Sequence, residues 1–280
     1  MRVARCQAGQ ATVEWVGLVL LASVALNAVV AVAPAIDGRS FGGFLVHRIF
    51  CAVGRDCGDP ELKRAYGDAD SALLREYAPN LVYEAGERQV PVDFRHCRTV
   101  RCATAPDERD LDTHRTDTGL PATGFTRVVR RGARTYLQYW LYYPDSNSTV
   151  GDLDKLWNAA PFGDWPGWHA DDWEAYQVRI DTDGAAKVRS SSHGHYQWCK
   201  GADCRNVWGR HTGWTRVSRG SHAGHQPLDR QELRERTTTG EALRLVPLER
   251  IDPGSYRPLD EDIRPPWHKK VFNHPESNES

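Results

Sequence analysis

No block of basic residues occurs anywhere in this 280-residue chain, whose 36 Lys and Arg face 37 Asp and Glu for a net charge of −1. That balance leaves no electrostatic footprint for a phosphate backbone and excludes nucleic acid as an expected partner. No G-x-S-x-G elbow is present, so a serine hydrolase has no support. Internal repeats are missing too, which removes solenoids and propellers. The seven cysteines share no C-x2-C register, which argues against zinc as their purpose. Charge is also missing from residues 16–36, and that absence decides the compartment.

At ~1.5 Å per residue, the uncharged run spans roughly 30 Å, the thickness of a bilayer's hydrocarbon core. Arg2 and Arg5 precede it, and the chain as a whole is polar, with a mean hydropathy of −0.59. A terminal apolar helix beside so polar a chain reads as a membrane or export segment. Its head is Gly9-Gln10-Ala11-Thr12-Val13-Glu14, a lone carboxylate following a glycine. This resembles the leader of type IV pilin-like and Tad-type minor pilin proteins. The resemblance implies cleavage after Gly9 by a prepilin peptidase. It also implies pairing of Glu14 with a neighbouring subunit's terminal amine in a pilus-type assembly. A carboxylate entering hydrocarbon is costly without such a partner. Two other readings stand: an uncut signal anchor, and a signal peptide cut after Ala33-Pro34-Ala35. All three place the body outside the cytoplasm, anchored to the membrane through the N-terminal helix or secreted.

The cysteines agree. Cys6 lies before the cleavage point, and the remaining six form close pairs: Cys51 with Cys57, Cys97 with Cys102, and Cys199 with Cys204. Local pairing is the simplest disulfide framework in an oxidising compartment, each bridge contributing on the order of 2 kcal/mol.

Four regions follow. Residues 1–36 are the leader and helix; 37–74 are a linker with a disulfide loop and a short helix; 75–270 are a β domain; 271–280 are a disordered tail. Helical spacing over 68–77 puts Ala72, Leu73 and Tyr77 on one side. Residues 81–83 and 89–92 are short strand candidates, and 104–123 is a polar loop. Residues 135–143 (TYLQYWLYY) are apolar on both faces, as in a central strand covered on each side. Residues 173–180 and 187–192 flank the turn Asp181-Thr182-Asp183-Gly184 and form a hairpin. A short helix is expected within 229–244. The fold class expected is mainly β: an antiparallel, jelly-roll-like β-sandwich with long loops and short helices, preceded by one apolar N-terminal helix.

The chemistry concentrates in Gly167-Trp168-His169-Ala170-Asp171-Asp172-Trp173-Glu174. Strand alternation puts Asp172 and Glu174 on the inward face with Tyr176, Val178 and Ile180. Buried carboxylates need arginines or a cation. His169 approaches from the preceding loop, and Asp145 ends the neighbouring strand after Pro144. Three carboxylates and an imidazole suit Ca²⁺, Mg²⁺ or Mn²⁺ better than Zn²⁺. His193 and His222, each in a turn beside a strand, are candidates for a base, a ligand or a hydrogen-bond donor.

Residues 139–145 (YWLYYPD), His169-x-x-Asp172-Trp173-Glu174 and Ser192-His193-Gly194 resemble the necrosis- and ethylene-inducing-peptide-like proteins. These are secreted cytolysins with one β-sandwich and a divalent metal at one end. Their heptapeptide Gly-His-Arg-His-Asp-Trp-Glu falls with its first His, its Asp and its Glu on His169, Asp172 and Glu174. The resemblance adds Asp145 and His193 to the activity positions. Trp168, Ala170 and Asp171 depart from that heptapeptide. A wider relative, the vacuolar-protein-sorting-associated protein sixty-two-like family, is similar over about residues 75–270. Its matching motifs here are Tyr77-Ala78-Pro79, Pro91-Val92, Arg219-Gly220-Ser221-His222 and Pro265-Pro266-Trp267.

Three functions follow as expectations. The first is a tethered, metal-dependent recognition module for cell-envelope glycans or glycolipid headgroups, favoured by ten tryptophans. A metal-dependent hydrolase comes second, with His193 or His222 moving the proton. The third is a pilin-like structural subunit. A binding role is favoured over an enzymatic one.

Overall fold

The computed structural model describes residues 59–106, 115–147, 168–192, 195–196, 214–225, 237–238 and 240–279. The leader with Gly9 and Glu14 lies outside the described residues, and so does His193. Of the three expected disulfides, the Cys97–Cys102 bridge is formed. The other two expected pairs, Cys51 with Cys57 and Cys199 with Cys204, fall outside the described residues. Among those described, no helix is long and apolar enough to cross a membrane.

Helix α1 (Pro60–Glu76) opens on proline, whose fixed φ suits a first turn, and kinks at Gly67 (φ +78°, ψ 175°). Its expected start at residue 68 is therefore only the second half. The kink lets Leu62 and Leu74, both buried, reach the same core, while Ala72, expected on one side with Leu73 and Tyr77, is exposed. Arg75 pins the helix end to the carbonyls of Gly240 (2.7 Å) and Leu243 (2.8 Å).

Among the described residues the strands are β1 (Asn80–Tyr83), β2 (Thr123–Arg131), β3 (Arg134–Asn147), β4 (Trp168–Ile180), β5 (Ala186–Ser192), β6 (His195–Tyr196), β7 (Trp214–Val217), β8 (Gly224–His225), β9 (Thr237–Thr238) and β10 (Arg244–Pro247). Short helices α2 (Val100–Ala103) and α3 (Lys270–Asn273) accompany them. One sheet has the order β8-β7-β1-β9 and the other β10-β2-β3-β4-β5-β6. Both are mixed, because β1 runs parallel to β7 and β10 parallel to β2. Those pairings join segments far apart in sequence, whose long connections permit either direction; this corrects the purely antiparallel expectation. Residues 89–92 form no strand: Gln89 makes an isolated bridge to Thr104.

β3 sits centrally between β2 and β4 and is buried from Tyr136 to Pro144, as its doubly apolar pattern predicts. The β4–β5 hairpin turns where Gly184 N bonds Asp181 O (3.0 Å). The two sheets touch closely at Gly224, where an added Cβ would collide with Ser190 Cβ; only glycine fits there.

The C-terminal segment, expected to be disordered, is packed instead. Gln138 donates to Val271 O (3.0 Å), Arg131 to Asn273 O (2.9 Å), and Arg179 to Glu276 (3.1 Å). Side chains of the sheet capture the segment's backbone carbonyls, which sequence periodicity cannot register. A cluster of aromatic rings joins the sheet to the same end of the chain. Phe94 lies within 6 Å of Phe125, Tyr142, Trp173 and Tyr256, at 5.3, 5.9, 5.6 and 5.1 Å between centroids.

Candidate functional site

The site is built on the β3–β4 register. Leu141 pairs with Glu174, Tyr143 with Asp172, and Asp145 with Ala170. Directly opposed residues share a face, so Tyr143, Asp145, Asp172 and Glu174 come to one side, as alternation predicted. The Pro144–Asp171 position is missing from this ladder. Proline has no N–H to give, and Asp171 there adopts φ +60°.

Opposite this face stands the turn that carries His222. Its backbone N–H bonds Ser218 O (3.0 Å), and Asn147 N reaches Gly220 O (2.8 Å), tying the turn to the end of β3. His222 is buried (1 % exposed) and stacks on Tyr143, with centroids 3.9 Å apart and rings within 1° of parallel. Its Nδ1 donates to Asp172 Oδ2 at 2.8 Å. Its Nε2 lies 3.6 Å from Glu87 Oε2. Glu87 is in turn gripped by the backbone N–H of Gln89 (2.6 Å) and of Gly220 (2.7 Å). Gln89 Nε2 then donates to Asp145 Oδ1 (2.5 Å). Glu174 accepts from Ser191 Oγ.

Electrostatics follow from this crowding. Four carboxylates (Glu87, Asp145, Asp172, Glu174) share the region with His222 and with Lys269, whose Nζ donates to Trp173 O (3.0 Å). Burial, reinforced by the Asp172 charge, pushes Glu174 up to about 8. Burial also works against a charged His222, but the hydrogen bond to Asp172 and the charges of Glu87, Asp172 and Asp145 together hold its pKa above the ordinary value. Lys269 is lowered by burial despite the attraction of Glu174 and Asp172. Among the described residues, three buried polar atoms here have no hydrogen-bond partner: His222 Nε2, Tyr143 Oη and Gln89 Oε1. Such atoms are rare in native interiors, where a buried polar group normally has a protein or water partner.

Strain collects at the same point. Among the described residues the non-glycine positions with left-handed backbone are Asp171 and His222 (φ +51°). Each costs about 1–2 kcal/mol and persists only where its surroundings dictate it.

No protein-family profile and no curated relative matches the chain. It is similar to solved structures of necrosis-inducing toxins. NLPPya in complex with mannosamine is 16% identical with a TM-score of 0.39, over 67% of this chain and 77% of that one. A structure described as a toxin fold for microbial attack and plant defense is 20% identical, with a TM-score of 0.38 over 66% and 76%. Necrosis and Ethylene inducing Protein 2, from the causal agent of cocoa's Witches Broom disease, is 19% identical at a TM-score of 0.38 over 63% and 73%. Superposition this loose transfers neither ligand nor role.

Of the residues singled out in the sequence, Asp145, Asp172, Glu174 and His222 gather at one end of β3 and β4. His169 does not join them: it pairs with Ser146, one position beyond Asp145, so alternation assigns it to the opposite face. Its Nδ1 lies 3.3 Å from Ala170 O. Among the described residues no three His, Cys, Asp or Glu converge as a metal-ligating group. Sequence reasoning missed Glu87 and Gln89, which lie in a polar stretch after a glycine turn and carry no pattern that marks them. Asp171, opposite Arg98, was also missed.

Proposed function

We propose that this chain is an exported, membrane-tethered recognition protein, folded as a jelly-roll-like β-sandwich, whose Asp145–Asp172–Glu174 face takes up a divalent cation and with it a glycan or glycolipid headgroup. The observation that supports this is the imbalance at the site: four carboxylates, two cationic side chains and, among the described residues, three buried polar atoms with no hydrogen-bond partner. The donor set is all oxygen apart from the imidazole, which suits Ca²⁺, Mg²⁺ or Mn²⁺ better than Zn²⁺. Asp145, Asp172 and Glu174 would hold the ion by closing around it, since they do not converge in its absence, and His169 would reach it only after a larger local rearrangement. A bound ion would supply positive charge and open coordination positions for sugar hydroxyls.

The chain's own residues set the stage for this. Gln89 orients Asp145 (2.5 Å), His222 orients Asp172 (2.8 Å), and Ser191 orients Glu174. His222 is buried, stacked and engaged at Nδ1, which suits a holding role better than proton delivery to a substrate. The membrane tether and the export route rest on the N-terminal sequence alone, and so does the pilus-type alternative. The bridges of Cys51 with Cys57 and of Cys199 with Cys204 belong to the same proposal, since an oxidising compartment would close them.

The test is a thermal melt of the full oxidised chain in detergent, with chelator and then with each of Ca²⁺, Mg²⁺, Mn²⁺ and Zn²⁺. One of the first three is expected to raise the Tm, and Asp172→Asn to abolish the increment. No increment with any ion sinks the reading. An ion-dependent retention on amino-sugar or glycolipid supports then tests the ligand class.

A further inference from the structure

Asp171 and Asp172 are neighbours with opposite surroundings. Asp171 is wholly buried. Its carboxylate accepts from Arg98 Nη2 at 2.6 and 2.9 Å, from Tyr142 Oη at 2.7 Å and from Leu259 N at 2.5 Å. Three segments far apart in sequence thus converge on one side chain. Arg98 is itself held: it donates to Arg257 O (3.0 Å) and lies 4.9 Å from the centroid of the Tyr256 ring. It also sits inside the loop closed by the Cys97–Cys102 disulfide.

The left-handed backbone of Asp171 falls where Pro144 interrupts the ladder, directly before Asp172. Such a kink persists only when its surroundings over-determine it, and the Arg98–Tyr142–Leu259 grip does so. Asp172, the next residue in β4, meets His222, the other left-handed residue.

The geometry points to Asp171, gripped by Arg98 from the Cys97–Cys102 loop, as the positioning residue of this site: it acts through the backbone to aim Asp172 at His222. The inference rests on reading the Asp172 cluster as the functional site. It assigns a role to a position where the chain departs from the heptapeptide it resembles.

The experiment reads the His222 ring by ¹⁵N NMR in the metal-free full chain, with its lines identified by their disappearance in His222→Gln. Near-UV circular dichroism reports folding. Asp171→Leu and Arg98→Gln, folded by that criterion, are expected to lose the hydrogen-bonded Nδ1 line. Asp171→Asn keeps an acceptor and tolerates left-handed backbone, and is expected to restore it. The Cys97→Ser/Cys102→Ser double variant is expected to broaden or displace the line with Arg98 unchanged. An Nδ1 line unaltered in Arg98→Gln overturns the proposal, and so does one as displaced in Asp171→Asn as in Asp171→Leu. Should Asp171→Leu fail to fold, the Arg98→Gln and Asp171→Asn arms decide. Because no ion is present, failure here is distinct from failure of the metal reading, which the wild-type ion melt decides alone.

Discussion

Asp171 and Asp172 differ by one position in the chain, and both are buried, at 0 % and 6 % exposure. Asp171 is saturated, with a permanent cation, a phenol and a backbone N–H on its two oxygens. Asp172 has a titratable imidazole on one oxygen and a second carboxylate nearby, Glu174, whose pKa burial, reinforced by the Asp172 charge, pushes up to about 8. A closed carboxylate is scaffold. Asp172 is held by a titratable partner instead, one position along the chain.

The sharpest way to break this contrast is Asp171→Leu, which leaves Arg98, Tyr142 and the Leu259 N–H without their acceptor. Uncompensated burial of a cation predicts a loss of about 3–5 kcal/mol in urea unfolding. A loss below about 1 kcal/mol, the range of an exposed pair, would mean that the grip is ornamental.

Next in size is the ion increment. At a hundredfold excess over Kd, a cation bound only by the folded state adds about 2.7 kcal/mol. Asp172→Asn is expected to remove it while Arg98→Lys keeps it. Asp172→Asn will also cost some stability in chelator, because His222 loses its charged acceptor. The informative quantity is therefore the increment, not the absolute Tm.

The Cys97→Ser/Cys102→Ser variant is expected to cost about 2 kcal/mol by loop entropy. A loss confined to that amount, with no change in ion increment, would show that the loop holds Arg98 without its bridge.

A smaller effect concerns pH. The folded-state pKa of Glu174 is raised from 4.5 to about 8, and that of His222 is raised from 6.5. Each group binds its proton more tightly in the folded state. Each contribution is therefore fully present below the ordinary value and is lost as pH rises through the folded value. Urea midpoints in chelator should fall between pH 5 and pH 9, and Glu174→Gln should flatten that fall, leaving the His222 part above pH 6.5 against the opposite contribution of Lys269, whose pKa is lowered on folding. A midpoint that climbs across that range would contradict this account.

Smallest of all is Tyr143→Phe. The hydroxyl has no hydrogen-bond partner among the described residues, so its removal should change stability in chelator by less than about 1 kcal/mol and keep the His222 stack. A larger loss would reveal a partner, such as an ordered water.

Much of this was legible in the residues. Alternation in β4 placed Asp172 and Glu174 on one face, the doubly apolar run marked β3 as central, and Arg219-Gly220-Ser221-His222 was singled out as a motif. Glu87 was not legible. It follows a glycine turn in a polar stretch and reads as solvent-facing, yet it is 5 % exposed because Gly220 and His222 arrive from more than a hundred residues away. His169 misled for the complementary reason: a histidine three residues before an aspartate looks ligating, but strand register, not spacing, decides its face. The last residues looked frayed because their anchors are backbone carbonyls bonded to Gln138 and Arg131 and one carboxylate, Glu276, whose partner Arg179 is about a hundred residues away in sequence.

Local chemistry, then, was settled by the sequence alone: the period-two faces, the Cys97–Cys102 pairing, and the uncharged N-terminal run. Tertiary structure alone decided which charges met. The pairing of Arg98 with Asp171, of His222 with Asp172, and of Glu87 with both histidine nitrogen and turn depends on segments brought together by sheet pairing and aromatic packing. Register and burial act across long loops, and a carboxylate's partner is set by those distances rather than by its neighbours in the chain.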